Sequence, residues 1–205
     1  VDAAAPDAAE AVRQWAERGM TGLRLRPDAR SPGDDPLAVW RAADECGLVI
    51  SCGGASAALL ADDFAALANE FSRLPIVVEH LGGWTRPDCD RSEETWHGIL
   101  ALARLPNVSL KIPALGQLAQ RAVGAPLPAQ PPVLDAAKGA ILLEALETFG
   151  AERLLWGSDF PVVSSREGYA NALSWTRDLF AGRPEAEVAA IFGGNAERIF
   201  FAHSG

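Results

Sequence analysis

Residues 153–161 read RLLWGSDFP, an apolar run that stops abruptly at a glycine and is closed by Pro161. The run is typical of a buried strand, and a proline forbids its regular continuation. Asp159 is therefore predicted to stand where a buried strand meets open space, which is where barrel enzymes keep their catalytic groups. Taken alone, the same residue could simply start a turn or cap the next helix.

Four more strands are predicted upstream, and helices alternate with them along the chain. The strands cover residues 22–27, 48–52, 76–80 and 108–112. A capping box formed by Asp7 and Glu10 opens the first helix. Consecutive strand and helix units indicate an α/β protein with a parallel sheet. Helices are predicted near residues 7–18, 35–47, 57–73, 92–104, 136–149, 169–181, 184–192 and 195–201, with residues 124–132 as an irregular loop.

Two architectures share this alternation, an open doubly wound sheet and a closed (β/α)8 TIM barrel. The first usually carries a glycine-rich phosphate fingerprint, and neither Gly53-Gly54 nor Gly82-Gly83 has its spacing. The strand ends favour the barrel, because polar residues occupy positions where a purely structural strand would place small or apolar ones. The last positions of the five strands are Arg26, Cys52, His80, Lys111 and Asp159.

In a barrel these side chains would form a polar ring at the C-terminal mouth. His80 and Asp159 are candidate metal ligands, because an imidazole and a carboxylate commonly bind Zn²⁺ or Mn²⁺ in hydrolytic sites. The alternative for His80 is a core histidine held by hydrogen bonds. A zinc site needs about three protein ligands, and the third would have to be the Cys52 thiolate, about 2.3 Å from the ion. The chain by itself is therefore expected to hold little metal.

Positive charge near the strand ends points to an anionic small-molecule substrate. Arg24 and Arg26 share one face of their strand, and Lys111 closes another strand. These three are the candidate substrate-binding residues, since guanidinium and ammonium groups bind carboxylates through charge-assisted hydrogen bonds. The alternative for Lys111 is a structural pair with Glu79.

Composition limits the partners and the compartment. The chain has 205 residues, 49% of them hydrophobic, which is enough to bury a core. Its net charge is −9 and its arginines are scattered singly, so neither nucleic acid nor an anionic membrane is an expected partner. Cys46, Cys52 and Cys89 lack a CxxC spacing and fit the reducing cytoplasm. No apolar run approaches the ~18 residues that would span a bilayer.

Four segments, taken in order, resemble a known family. They are residues 76–83 (IVVEHLGG), 107–112 (NVSLKI), 153–161 (RLLWGSDFP) and 191–200 (IFGGNAERIF). Together they resemble the amidohydrolase-2 branch of the amidohydrolase superfamily, whose members are TIM-barrel metal-dependent hydrolases and lactonases, with some decarboxylases. The segments are specific in combination and weak separately, and the resemblance runs from the first helix to the C-terminus.

The resemblance implies that His80 ends strand six and Asp159 ends strand eight of a (β/α)8 barrel. The residue matching Asp159 binds or lies beside the metal and takes a proton from the attacking water, while the one matching His80 is a ligand or polarises the substrate. The family's His-x-His pair on strand one is missing, since the histidines here are His80, His97 and His203. We therefore expect residues 1–205 to be a single N-terminally truncated domain, an incomplete barrel with about five parallel strands, four to eight. Its unpaired sheet edges favour self-association, for example as a homo-oligomer.

These observations lead to a functional hypothesis. The intact enzyme is expected to be a lactonase-like amidohydrolase that opens a small carboxylated lactone or related cyclic ester, with Asp159 as general base toward water. A divalent metal, Zn or Mn, is expected in the intact enzyme, and little or none in this chain alone. Two alternatives stay open: a decarboxylase of the same superfamily, and a catalytically inactive fragment or subunit.

Overall fold

The computed structural model describes residues 1–124, 126–130 and 136–201, with the backbone alone for residues 136–139. Five parallel strands form one sheet in the order β1-β2-β3-β4-β5. Strands that follow one another in the chain are neighbours in the sheet, as they are in a (β/α)8 barrel. The predicted α/β class is confirmed. The strands are β1 (Gly22–Leu25), β2 (Val49–Cys52), β3 (Ile76–Val78), β4 (Val108–Ile112) and β5 (Leu154–Trp156).

Helices lie between the strands and after the last one. The helix predicted over residues 57–73 is two helices, because Ala61 adopts an extended conformation (φ −68°, ψ 144°) between them. The predicted capping box is also wrong, since the Asp7 side chain makes no cap hydrogen bond. The helices are α1 (Ala8–Glu17), α2 (Ala38–Glu45), α3 (Ser56–Leu59), α4 (Asp62–Glu70), α5 (Glu93–Ala101), α6 (Leu115–Leu118), α7 (Ala136–Phe149), α8 (Tyr169–Asp178), α9 (Glu185–Ala189) and α10 (Asn195–Phe201).

The chain divides into two units, residues 1–110 with the residues from Ala196 onward, and residues 111–195. In the first unit β1 to β4 pair in parallel, with Ile50 opposite Ile76 and Ile76 opposite Val108. These apolar residues are fully buried, as strands covered on both faces require. The Asn107 amide donates to the carbonyls of Phe71 and Leu74, each at 3.0 Å, and so fixes the loop that enters β3.

In the second unit the backbone N–H of Gly157 donates to the Ile112 carbonyl at 3.0 Å, which joins the ends of β4 and β5. Trp156 closes β5 and stacks on Phe192, with ring centroids 5.7 Å apart. The buried Asn195 amide donates to the Leu154 carbonyl at 2.8 Å. The asparagine of the GGNAERIF segment thus has a structural role, because it fixes the entry to α10 against the start of β5.

Several predictions fall partly or wholly outside the described residues. Residues 131 and 132 of the predicted loop and His203 are among them. The prediction of one domain over residues 1–205 stays a prediction. Within the residues that the structure describes, every helix falls short of the length and apolarity that a bilayer crossing requires.

Candidate functional site

Three polar side chains meet at the C-terminal ends of β1, β2 and β3 in the first unit. We call Arg24, Ser51 and Glu79 the Glu79 cluster. Ser51 Oγ donates a 2.6 Å hydrogen bond to Glu79 Oε1, and Arg24 Nη2 lies 2.6 Å from Oε2 in an ion pair. The Glu79 side chain is 9% exposed and that of Arg24 is 68% exposed. The cluster therefore buries its anion and presents its cation to solvent.

A glycine makes this arrangement possible. A Cβ atom placed on Gly53 would lie 2.5 Å from Glu79 Oε2 and 2.9 Å from Arg24 Nη2. Any side chain at this position would overlap the ion pair, so the first glycine of the Gly53-Gly54 pair is required by packing against Arg24 and Glu79.

The predicted substrate-binding Arg26 follows β1 and is already engaged. Its Nε and Nη2 donate to the two carboxylate oxygens of Asp28 at 2.9 and 3.2 Å. The guanidinium holds the pKa of the Asp28 carboxyl below its usual value, and the carboxylate raises the pKa of Arg26. Both side chains are exposed, so Arg26 could bind a second anion only in competition with Asp28.

Cys52, the last residue of β2, is fully buried. Burial, and then the nearby Glu79 carboxylate, raise the pKa of its thiol to about 12. Zinc binding requires loss of the thiol proton, and the raised pKa makes that loss more costly than for an exposed cysteine. The physical setting of Cys52 thus disfavours the role of third metal ligand.

The backbone turns left-handed directly after Glu79. His80, Leu81, Gly82 and Gly83 all have positive φ, at 51°, 51°, 62° and 82°, and the Gly83 N–H donates to the His80 carbonyl at 3.1 Å. Asp159 shares this conformation with a φ of 62°. A non-glycine residue held there costs about 1–3 kcal/mol, and such residues cluster at functional sites. Both residues predicted to carry the chemistry are therefore held in a costly conformation.

Three charged side chains meet beyond β5 in the second unit. We call Asp159, Arg166 and Glu167 the Asp159 cluster. Arg166 Nη1 donates to Asp159 Oδ2 at 3.1 Å, while its Nε and Nη2 donate to Glu167 at 2.5 and 3.2 Å. The side chains are 5% exposed for Arg166 and 26% for Asp159, and Glu167 is completely buried. This cluster buries its cation and presents a carboxylate to solvent.

The two oxygens of Asp159 differ. Oδ2 is held by Arg166, and Oδ1 has no hydrogen-bond partner in the described part of the chain. A carboxylate that is partly exposed, held on one oxygen by a guanidinium and without a hydrogen-bond partner on the other can accept a proton from water.

Lys111 lies on β4, within the same unit as Asp159. A Cβ atom on Gly157 would lie 2.9 Å from Lys111 Cδ, so the lysine stem passes over the glycine that follows β5. The Gly157 position explains the glycine of the WGSD segment, because a larger residue would displace Lys111. The aliphatic stem of Lys111 thus lies beside Gly157, two residues before Asp159.

The described residues offer few donors for a metal ion. No group of three or more His, Cys, Asp or Glu side chains among them could hold one. Asp159 Oδ2 already binds Arg166, and burial raises the pKa of the Cys52 thiol. The described residues do not fit a complete metal site. His97 is exposed beside Glu93 at 4.0 Å and belongs to neither cluster.

Sequence reasoning did not predict four members of these clusters as site residues, namely Ser51, Glu79, Arg166 and Glu167; Glu79 was considered only as a structural partner of Lys111. Charged residues on a segment with no apolar periodicity are normally assigned to the surface. The position of the Arg166-Glu167 pair, seven and eight residues after Asp159, gives no signal of burial. Only the folded turn after Pro161 brings the pair against the carboxylate.

Five sequentially adjacent parallel strands with polar side chains at their C-terminal ends define the class of TIM-barrel enzymes to which this chain is similar. The amidohydrolase family model Amidohydro_2 matches residues 1–202. The chain belongs to this amidohydrolase family.

Individual relatives agree with this assignment. L-fucono-1,5-lactonase from Burkholderia ambifaria is 35% identical over 139 residues, which cover 64% of this chain and 43% of that protein. The match thus spans less than half of the curated relative. A crystal structure of an amidohydrolase from Burkholderia multivorans with bound HEPES superposes with a TM-score of 0.71 at 25% identity, covering 98% of this chain and 71% of that one.

Two further solved structures share the fold. A second crystal form of the Burkholderia multivorans amidohydrolase, with bound zinc, gives a TM-score of 0.72 at 24% identity over 98% of this chain and 71% of that one. A putative 2-pyrone-4,6-dicarboxylic acid hydrolase from Pseudomonas putida gives 0.66 at 20% identity over 94% and 67%. The five parallel strands match part of the barrel of these amidohydrolases, as predicted from sequence.

Proposed function

We propose that the protein carrying this chain is a hydrolase that opens a small carboxylated lactone or related cyclic ester. Asp159 acts as general base: Oδ1 takes a proton from water as the water oxygen bonds to the lactone carbonyl carbon. The ring C–O bond then breaks, and the leaving alkoxide takes up a proton to give the open hydroxy acid. General bases of this kind accelerate reactions by about 10²- to 10⁴-fold.

One observation carries this proposal, the setting of Asp159. Its backbone is left-handed, its Oδ2 is fixed by Arg166, and its Oδ1 has no hydrogen-bond partner among the described residues. A structural aspartate would be expected to use both oxygens or to cap a helix. The similarity to a protein named as a lactonase supports the choice of a cyclic ester as substrate.

The charge of the substrate is proposed from the cations near the strand ends. Lys111 and the exposed Arg24 favour a substrate with a carboxylate, whereas Arg26 is weakened as a candidate by its pairing with Asp28. His80 stays a predicted metal ligand or polarising group. His80→Ala is expected to weaken the binding of metal or substrate, and unchanged affinity for both would return His80 to a structural role.

The metal, compartment and assembly are also proposals. Because one structural neighbour contains bound zinc, we include a divalent ion, Zn or Mn, in the proposal for the intact protein. The described donors do not build a site for that ion, so no step above depends on one. The cysteines Cys46, Cys52 and Cys89 are free thiols, which fits the proposed cytoplasmic location. Self-association of the chain stays a proposal as well.

The experiment is an assay of the purified protein on two lactones, L-fucono-1,5-lactone and 2-pyrone-4,6-dicarboxylate. Ring opening is followed by acid release, and release of CO₂ is measured in parallel. We expect acid release without CO₂, with the dicarboxylate preferred. CO₂ release without ring opening would favour the decarboxylase. If neither acid nor CO₂ is released, both enzymatic functions are contradicted.

A further inference from the structure

We propose that Arg166 is a positioning residue for Asp159, and that Glu167 allows this by binding the rest of the Arg166 guanidinium. The inference rests on the proposed function, because it treats Asp159 as the general base. It adds a pair of buried charges whose purpose is to fix the direction in which the Asp159 carboxylate faces.

The guanidinium is divided between two carboxylates. Glu167 accepts from Nε and Nη2, which leaves Nη1 to donate to Asp159 Oδ2. Because the guanidinium is planar and rigid, a two-point contact with Glu167 fixes the direction of the remaining N–H groups. Arg166 is thus oriented before it meets Asp159.

The backbone around the pair is also held in place. The N–H groups of Arg166 and Glu167 both donate to the Val163 carbonyl at 3.2 Å, and the Arg166 carbonyl accepts from Arg121 Nε at 2.7 Å. A Cβ atom on Gly116 would overlap the Glu167 carboxylate, so this glycine leaves room for it. The backbone around these charges is therefore held by hydrogen bonds and leaves room for the Glu167 carboxylate.

Stability alone does not explain a buried ion pair. Removing two charges from water costs free energy that their attraction often fails to recover, and apolar replacements of similar volume are frequently as stable. A pair that orients a third, partly exposed carboxylate has a reason to be retained. Two features support this reading here, the Nη1 contact to Asp159 and the burial of Glu167.

Glu167 also limits how much of the Arg166 guanidinium reaches Asp159. It accepts from Nε and Nη2, and Nη1 engages Oδ2 alone. Among the described residues Oδ1 has no hydrogen-bond partner, so it stays available to water.

The test uses variants that separate orientation from folding. Arg166→Met leaves Glu167 buried without its partner, whereas Arg166→Met/Glu167→Met removes both charges and keeps comparable volume. Arg166→Lys keeps a cation beside Glu167 but lacks the rigid fork. Arg183→Met is the matched control, since Arg183 pairs with Glu147 and Glu187 in the same unit and does not contact Asp159.

Each variant is measured by thermal unfolding, by a crystal structure and by kcat and KM for whichever of the two lactones the unaltered protein prefers. We expect Arg166→Met to lower the Tm and the Met/Met variant to regain most of it. In the Met/Met and Lys variants the Asp159 carboxylate should occupy more than one rotamer. Their kcat should fall about 10- to 100-fold, as expected for a misplaced catalytic group, with a much smaller change in KM. Arg183→Met should leave the position of Asp159 and kcat unchanged.

The inference is overturned if Asp159 keeps a single, unchanged rotamer in both the Met/Met and Lys variants, or if kcat recovers together with Tm in the Met/Met variant. Failure of the proposed function looks different. In that case the unaltered protein does not open the lactone, or Asp159→Asn retains turnover, while the rotamer of Asp159 in the variants still shows whether Arg166 orients it.

Discussion

The Glu79 cluster and the Asp159 cluster contain the same chemical groups in opposite arrangements. In the Glu79 cluster the carboxylate is 9% exposed and its arginine partner 68% exposed. In the Asp159 cluster the arginine is 5% exposed and one carboxylate 26% exposed. The first therefore offers a cation to solvent and the second offers a base. This difference agrees with the proposed binding role of Arg24 and with the proposed proton transfer by Asp159.

A glycine stands beside the buried carboxylate in both clusters. Gly53 makes room for Glu79, and Gly116 makes room for Glu167. In both clusters the ion pair therefore depends on a neighbouring glycine as much as on the charges themselves. It also predicts that equivalent substitutions will have unequal effects in the two clusters.

The largest expected difference in stability is between Arg166→Met and Arg24→Met. Loss of a buried partner leaves an uncompensated charge and costs about 3–5 kcal/mol, so Arg166→Met should lower the free energy of unfolding by that amount. In the Arg24–Glu79 pair only the carboxylate is buried, and Ser51 still donates to it after Arg24 is lost, so Arg24→Met should cost less than Arg166→Met. Urea unfolding of both variants measures the two values. Equal losses of unfolding free energy in the two variants would show that the two arginines contribute equally to stability.

Substitution of the two glycines comes next. Gly116→Ala would force the new methyl group into the buried Glu167 carboxylate and should cost about 1–3 kcal/mol, as overpacking does. Gly53→Ala should cost less, because its Cβ would overlap the Glu79 carboxylate less deeply than that of Gly116 overlaps Glu167, and the exposed Arg24 can move into solvent. Gly194→Ala is the control, since its Cβ would meet its nearest neighbour at an ordinary 3.5 Å. A neutral Gly116→Ala would contradict the packing assigned to Glu167.

A smaller effect on stability is expected from Cys52, the buried last residue of β2, which lies near Glu79. Burial raises its pKa from 9.0 to about 12, so the folded state keeps a proton that the unfolded state loses. The resulting stability is complete below pH 9 and is lost as the pH rises toward 12. Between pH 9 and 10 the free energy of unfolding should fall by about 1 kcal/mol more than in Cys52→Ala, measured by urea unfolding. Parallel curves for the two proteins would contradict the raised pKa.

The smallest effect is predicted for the exposed pair of Arg26 and Asp28. The pKa of Asp28 is lowered by Arg26, so its stabilising effect is present above the ordinary pKa near 3.8 and is lost as the pH falls through the lower folded value. Asp28→Asn should remove this acid dependence and change the free energy of unfolding by less than about 1 kcal/mol at pH 7. A larger loss would mean that the pair is structurally important.

The sequence identified the fold because local patterns specify it. The apolar run ending in GSDFP predicted that Asp159 follows a buried strand, and β5 ends at Trp156 as expected. The alternation in residues 22–26 likewise placed Leu23 and Leu25 inside and Arg24 outside. These features depend on neighbours in the chain, so they can be predicted without tertiary contacts.

The rest depends on contacts between distant residues. Nothing local distinguishes Arg166 and Glu167 from surface charges, and their burial follows from the turn that contains Val163 and from the space at Gly116. The left-handed conformation of His80 could not be predicted from the sequence either, because positive φ is normally expected for glycine and not for histidine or leucine. The substrate-binding prediction for Arg26 did not foresee Asp28 as its partner, although only two residues separate them.

The claim that Asp159 is the general base has a direct test in the turnover of Asp159→Asn, which keeps the shape of the side chain and removes the proton acceptor. The matched control is Asp178→Asn, an exposed carboxylate at the end of α8 in the same unit. We predict that kcat for ring opening of the preferred lactone falls about 10²- to 10⁴-fold in Asp159→Asn and stays unchanged in Asp178→Asn. Near-normal turnover of a folded Asp159→Asn protein would contradict the account.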